Sequence, residues 1–146
     1  AEFTRRIVDT LQNYPYLVAE QDGVPVGYAY AGKFHERAAY DWSVETSIYV
    51  EQHRKRQGIG RLLHDALEQE LQRRHFLNMN ACVACPIGEN DPYLTRDSIC
   101  FHEKLGYRMV GEFHQCGYKF GRWYHMVWLE KHIGSHEETP LPVLRG

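Results

Sequence analysis

The chain lacks the marks of a membrane, secreted or nucleic-acid-binding protein. No apolar run approaches the roughly 20 residues of a membrane span, and the start, AEFTRRIVDT, has no apolar signal core. A cytoplasmic protein is the default expectation. An excess of one charge is missing as well: 17 Lys and Arg against 19 Asp and Glu leave a net charge of −2. The one basic run, His53 to Arg56, is too short to make a basic face, so no nucleic-acid partner is expected. Cysteine is sparse. Cys82, Cys85, Cys100 and Cys116 do not look like a disulfide framework, and no second CxxC completes Cys82 and Cys85 as a zinc site. Read on a strand, those two point to opposite faces, so no metal is expected despite nine histidines. Internal repeats, low-complexity tracts and a second domain are missing too.

What remains is ordinary globular composition, 43% hydrophobic and 25% charged over 146 residues, enough for one domain with a core. Phe3, Ile7, Val8 and Leu11 recur at helical spacing before Pro15, so residues 1–13 read as the end of a helix. Residues 14–21 and 24–33 read as a hairpin closed by Asp22-Gly23, and residues 40–50 as the next strand. Its parity puts Trp42, Val44, Ile48 and Val50 on a core face and Ser43, Glu45, Ser47 and Tyr49 on the other. An amphipathic helix follows over residues 58–75, with Ile59, Leu62, Leu63, Ala66, Leu67 and Leu71 on its apolar side. Residues 78–85 read as a strand and 95–105 as a second helix, capped by Thr95 or Asp97 and stopped by Gly106. Ser98 and His102 lie one turn apart on it. Two strands, 107–116 and 123–130, close the fold, and residues 132–146 read as a flexible tail.

The stretch from Tyr49 to Leu63, YVEQHRKRQGIGRLL, is the most informative. A strand end runs through a basic turn into Gly58-Ile59-Gly60 and a helix start. Such a start leaves backbone N–H groups unpaired and carries partial positive charge, while glycine lets an anion approach closely. Lys55, Arg56 and Arg61 add full charges. On its own such a turn either starts a helix or holds a phosphate. No Gly-Lys-Ser/Thr follows, which disfavours a P-loop hydrolase.

The ordered segments YPYLVAE, VGYAYA, SVETSIYV, KRQGIG, SICFHEKLGY and KFGRWYHMVWLEK resemble the GNAT acetyltransferases, in the phosphinothricin and methionine sulfone N-acetyltransferase branch. The resemblance covers Tyr14 to Lys131. It implies an α/β fold with a mixed, mostly antiparallel twisted sheet, flanked by helices and splayed where acetyl-CoA lies. It implies that the backbone of Ile48, Tyr49 and Val50 pairs with the pantetheine arm. Lys55, Arg56, Gln57, Gly58, Ile59, Gly60 and Arg61 then wrap the pyrophosphate, with Thr95, Ser98 and Lys104 as further cofactor contacts. Lys55 stands where the family has Arg or Gln, and Thr95 where it has Asn. Family members open with a strand and a helix that would precede Ala1.

Acetyl transfer to an amine needs a base and a proton for the departing thiolate. Glu45, on the face of Ser47 and Tyr49, is the candidate base; taken alone it reads as a solvated carboxylate. His102 stands where many relatives carry a tyrosine, and is a candidate acid or a helix histidine that contacts cofactor. Arg37, Tyr28, Tyr30 and Trp123 are candidates for the acceptor site, Arg37 for a carboxylate. The implied partners are a small-molecule amine and a second copy in a homodimer. A noncatalytic acyl-CoA sensor and an acetyltransferase for another amine, such as a protein N-terminus, remain alternatives.

Overall fold

The computed structural model describes residues 4–9 (backbone only), 14–54 and 58–145. Two compact units divide the chain: residues 1–79 with 132–146, and residues 80–131.

In the first unit four antiparallel strands stand in the order β1 (Thr4–Asp9), β2 (Pro15–Gln21), β3 (Val24–Lys33) and β4 (Ser43–Val50). β1 corrects the expected helix. Helical spacing and a short β-branched strand overlap in TRRIVD, and pairing with the outer edge of β2 satisfies both backbones. Phe3 and Leu11 lie outside the described residues.

Asp22 and Gly23 turn the β2–β3 hairpin with φ of 54° and 78°, the left-handed geometry that favours Asp-Gly. The register slips by one between Ala19 and Glu20, opposite Pro25, which has no N–H to give the ladder. Leu17, Ala19, Val26, Ala29, Ala31, Val44 and Thr46 are buried on one sheet face. Helix α1 (Ile59–Arg73) packs there against β2, β3 and β4 through Ile59, Leu63, Ala66, Leu67 and Leu71. Leu62, expected on this stripe, is 39% exposed because it falls at the stripe's edge.

Gly27 governs how closely α1 approaches. A β-carbon there would stand 2.8 Å from the Tyr49 carbonyl oxygen, 3.1 Å from Leu63 Cδ1 and 3.4 Å from Ile59 Cγ2. A strand glycine often marks such a close approach, and here it seats the start of α1 beside the end of β4.

The segment between β3 and β4 is pinned rather than free. Residues 38–40 form a short 3-10 turn before β4, and the Trp42 carbonyl accepts the N–H groups of Leu77 and Asn78 at 2.9 and 3.2 Å. The expected flexible tail is likewise held by specific bonds. The Ile133 N–H donates to the Leu77 carbonyl (2.8 Å) and the Leu144 N–H to the Arg74 carbonyl (2.9 Å). Gln72 donates to the Ile133 carbonyl at 3.0 Å.

The second unit holds β5 (Asn78–Cys85, its first two residues in the first unit), helix α2 (Asp97–Lys104), β6 (Arg108–Lys119) and β7 (Arg122–His132). Its strands stand in the order β5, β7, β6. β6 and β7 run past their expected limits and pair as a hairpin around Phe120 and Gly121, both at positive φ. Ile99, His102, Leu105, Tyr107, Tyr124, Val127 and Leu129 are buried. The N-cap position of α2 falls on Arg96, not Thr95 or Asp97. The Thr95 hydroxyl instead accepts the Asp97 N–H at 3.2 Å, forming a turn one residue earlier. Among the described residues no helix is long and apolar enough to cross a membrane, and none of the four cysteines is in a disulfide.

Candidate functional site

β4 organises the candidate site of the first unit. Cross-strand pairing sets Glu45 opposite Gly32, Ser47 opposite Tyr30 and Tyr49 opposite Tyr28. These residues share the sheet face away from α1, because partners in a ladder and alternate residues along a strand point the same way. Glu45 is half-buried, and the glycine across from it puts no side chain beside its carboxylate; a β-carbon on Gly32 would meet nothing within 4 Å.

A tyrosine ladder continues this face. Tyr16 stacks on Tyr30 with ring centres 5.4 Å apart and on Tyr28 at 5.7 Å, and Tyr28 stacks on Tyr49 at 5.3 Å. Tyr28 and Tyr30 therefore stand together, half-buried, joined by Tyr49, expected only to pair through its backbone, and by Tyr16, which was not singled out from sequence. Burial first, then its neighbours Tyr28 and Tyr30, push the Tyr16 hydroxyl above its ordinary range.

At the far end of β4 the chain passes through a 3-10 turn, Gln52–Arg54, into α1. Gly58 is the N-cap of α1, at φ 81° and ψ 4°, with nothing within 4 Å of where a β-carbon would stand. Its carbonyl accepts the Leu62 N–H at 3.0 Å, the first bond of the helix. The preceding N–H groups of the first turn therefore have no partner within the helix. An open surface, free of side chains among the described residues, beside such donors fits a phosphate. No acidic residue occupies the first turn of α1. Arg61 is exposed and pairs with Asp65 at 3.7 Å, and Arg54 pairs with Glu51 at 3.8 Å. Lys55, Arg56 and Gln57 lie outside the described residues, while Ile48, Tyr49 and Val50 are the last three residues of β4.

From Glu45 to Val50 the strand covers about 17 Å at the usual rise per residue. A group laid along β4 from a phosphate at α1 would have to span this distance to reach Glu45. Arg37 is exposed at the other end, on the 3-10 turn between β3 and β4. Its carbonyl accepts the Tyr40 N–H at 3.0 Å, and its own N–H meets His35 Nδ1 at 3.4 Å.

In the second unit, His102 is 7% exposed. Its Nδ1 lies 2.7 Å from the Ser98 carbonyl oxygen, and its ring meets that of Tyr107 edge-on at 4.9 Å. A carbonyl only accepts, so Nδ1 carries the proton and Nε2 the lone pair of the neutral ring. Burial pushes the imidazole below its ordinary pKa, against a smaller upward pull from Ser98. Ser98 and His102 are thus joined as the spacing suggests, through the Ser98 carbonyl. Ser98, Thr95 and Lys104 are exposed. Trp123, 52% exposed, tilts against Tyr118 at 5.0 Å.

Asp91 was not singled out from sequence. Its Oδ1 accepts the N–H groups of Tyr93 (2.8 Å) and Leu94 (3.0 Å) and the Tyr124 hydroxyl (3.3 Å), and Oδ2 accepts from Arg122 at 3.2 Å. The Asn-Asp-Pro run of a turn was its only signal. Beside it a cavity of about 330 Å³ is lined by Cys82, Ala84, Cys116, Lys119, Tyr124 and His125, among others.

The chain is 37% identical over 129 residues to a phosphinothricin N-acetyltransferase of Streptomyces viridochromogenes, covering 88% of this chain and 64% of that one. It is 32% identical to an L-methionine sulfoximine/L-methionine sulfone acetyltransferase of Salmonella typhimurium, covering 86% and 69%. Among solved structures it matches a GNAT superfamily phosphinothricin acetyltransferase of Sinorhizobium meliloti in complex with AcCoA. That match has a TM-score of 0.75 and 34% identity, covering 88% of this chain and 66% of the other. The mixed α/β architecture of strands and helices is thus the one the sequence resemblance implies. The chain spans just under two thirds of the length of the Streptomyces relative. A profile described as the acetyltransferase (GNAT) domain matches residues 1–128, and to that family the chain belongs.

Proposed function

We propose that the protein is an N-acetyltransferase that moves an acetyl group from acetyl-CoA to the amine of a small amino acid analogue of the phosphinothricin or methionine sulfone/sulfoximine type. The observation that carries the reading is the sequence of stations along β4: the Arg37 turn before it, Glu45 near its start, and the open Gly58 cradle after its end. The acceptors that the names of the relatives print support the choice of substrate class.

In this reading the first turn of α1, with Lys55, Arg56, Gln57, Gly58, Ile59, Gly60 and Arg61, holds the pyrophosphate. The backbone of Ile48, Tyr49 and Val50 holds the arm, and Thr95, Ser98 and Lys104 are further cofactor contacts. Glu45 takes a proton from the acceptor ammonium, directly or through water, freeing the nitrogen lone pair. The nitrogen attacks the thioester carbonyl carbon; the N–C bond forms and the C–S bond breaks. His102 relays the second proton of that nitrogen to the departing thiolate, taking it up on Nε2 first because its resting ring is neutral. Arg37 pairs with the acceptor carboxylate, and Tyr28, Tyr30 and Trp123 contact the rest of the acceptor.

Two partners of the reading are also proposals. Four cysteines outside any disulfide support a reducing, cytoplasmic setting. The exposed edge strand β6 and the exposed Phe113, Tyr118 and Phe120 support a homodimer, which sedimentation at micromolar concentration would read as twice the chain mass.

The test is Glu45→Gln. The expected result is a kcat lower by about 10²–10⁴-fold with the dissociation constant for acetyl-CoA unchanged. An unchanged kcat sinks the assignment of the base, and cofactor binding with no turnover by the unsubstituted protein favours a sensor.

A further inference from the structure

We infer that the C-terminal segment is a strap that positions the acceptor-binding turn, with Trp42, Asp41 and Arg145 as positioning residues for Arg37. The inference rests on the acceptor role proposed for Arg37, and every contact it uses lies in the first unit.

The strap reaches the turn at two points. The Trp42 indole N–H donates to the Leu141 carbonyl at 2.9 Å, across 99 residues of sequence. The Arg145 guanidinium lies 3.9 Å from the Asp41 carboxylate and 5.4 Å over the centre of the Tyr14 ring. Tyr14 is a firm base: it is 1% exposed and packs against Phe76 at 5.8 Å. The other side of the strap is tied to the end of α1, where His75 Nδ1 meets the Pro142 carbonyl at 3.0 Å and the Leu144 N–H meets the Arg74 carbonyl at 2.9 Å.

Asp41 and Trp42 are the two residues between the 3-10 turn and β4. The Asp41 N–H closes the turn on the Ala38 carbonyl at 3.1 Å, and the Tyr40 N–H closes it on the carbonyl of Arg37 itself. Arg37 is therefore fixed by a single short turn, whose exit is held by the strap on one side and by Leu77 and Asn78 on the other. A turn of three residues has no core of its own, since none of its residues is buried. Its stiffness comes from these anchors. For bidentate recognition of a carboxylate, guanidinium placement decides affinity.

The experiment compares Trp42→Phe and Arg145→Gln with the unsubstituted protein and with Arg37→Gln. Methionine sulfone serves as the carboxylate acceptor and phenylethylamine as a plain amine. Trp42→Phe keeps an aromatic ring but removes the indole N–H, so the KM for methionine sulfone should rise about fivefold, the equivalent of one such bond. Arg145→Gln removes a partly exposed ion pair and should raise it about twofold to threefold, and Arg145→Lys should restore part of that. The KM for acetyl-CoA and for phenylethylamine should stay within error. In Arg37→Gln, adding Trp42→Phe should raise the KM no further.

If Arg37→Gln acts selectively on the carboxylate acceptor while Trp42→Phe and Arg145→Gln do not, the strap is overturned and the acceptor reading stands. Equal KM increases for both amines in the strap variants also overturn it, as a merely structural role would produce them. If Arg37→Gln itself shows no preference, the acceptor role fails and the strap's purpose with it.

Discussion

Replacing Gly27 with alanine should damage stability and cofactor affinity together, because one β-carbon would collide with the strand end and helix start that form the cradle. The nearest atom is backbone: the Tyr49 carbonyl oxygen, 2.8 Å away. It cannot swing aside like a side chain. To restore an ordinary contact the ladder or α1 must shift by about 0.5 Å, and overpacking of this kind costs about 1–3 kcal/mol. Alanine recovers about 0.5–1 kcal/mol through a less flexible unfolded chain. A net loss centred on about 1 kcal/mol remains, readable as a lower urea midpoint with an unchanged slope. The shift should weaken acetyl-CoA binding in calorimetry and, since misplacement by 1 Å can cost about 100-fold in rate, lower kcat/KM by about tenfold. Gly32→Ala is the control in the same strand: nothing lies within 4 Å of its added carbon, and stability should hold or rise slightly. If Gly27→Ala matches Gly32→Ala in both assays, the close approach of α1 does not set the cradle.

Two further outcomes concern ionisable groups. Glu70 bonds Arg73 and the buried Arg74, and the Arg73 hydrogen bond first, then Arg74, hold its carboxyl below its ordinary value of 4.5 against the effect of burial. Its stabilisation is full above that value and lost as pH falls through the lower folded one; Glu70→Gln should cost about 1–3 kcal/mol near neutral pH and flatten this acid slope in urea titrations. His102 acts in the same direction, in a higher pH window: with a folded pKa below the ordinary 6.5, the unfolded chain takes its proton first, so stability falls as pH drops from above 6.5 toward the folded value. His102→Gln should remove that loss, and an identical pH profile for the variant would contradict the burial argument.

The sequence shows β3 and α1 almost to their ends, because Asp22-Gly23 demands a left-handed turn before one and the Ile59, Leu63, Ala66, Leu67 spacing fits only a helix for the other. Residues 4–9 mislead because six residues are too few to separate a helical period from an alternating one, and the decision falls to the edge of β2, a long-range effect. The tyrosine ladder needs the register of three strands, which no local pattern contains. The strap is hidden for a similar reason. Its prolines and charges have the composition of a free tail, yet its anchors are backbone carbonyls met by Trp42 and His75 across 99 and 67 residues.

The candidate site divides along the same line. Glu45, Gly58 and the Ser98/His102 pairing follow from strand parity, glycine geometry and helical spacing, all of them local. The neutral state of His102 does not, because it is set by burial. Nor does the role of Gly27, although a glycine inside a strand pattern was a usable hint of close backbone approach.

The most direct test of the account is coenzyme A release from acetyl-CoA with methionine sulfone, methionine sulfoximine, phosphinothricin, an arylalkylamine and a peptide. The account predicts thiol release with the three amino acid analogues at far higher kcat/KM than with the arylalkylamine or the peptide. Acetyl-CoA binding without thiol release from any of them, or a preference for the peptide, would contradict it.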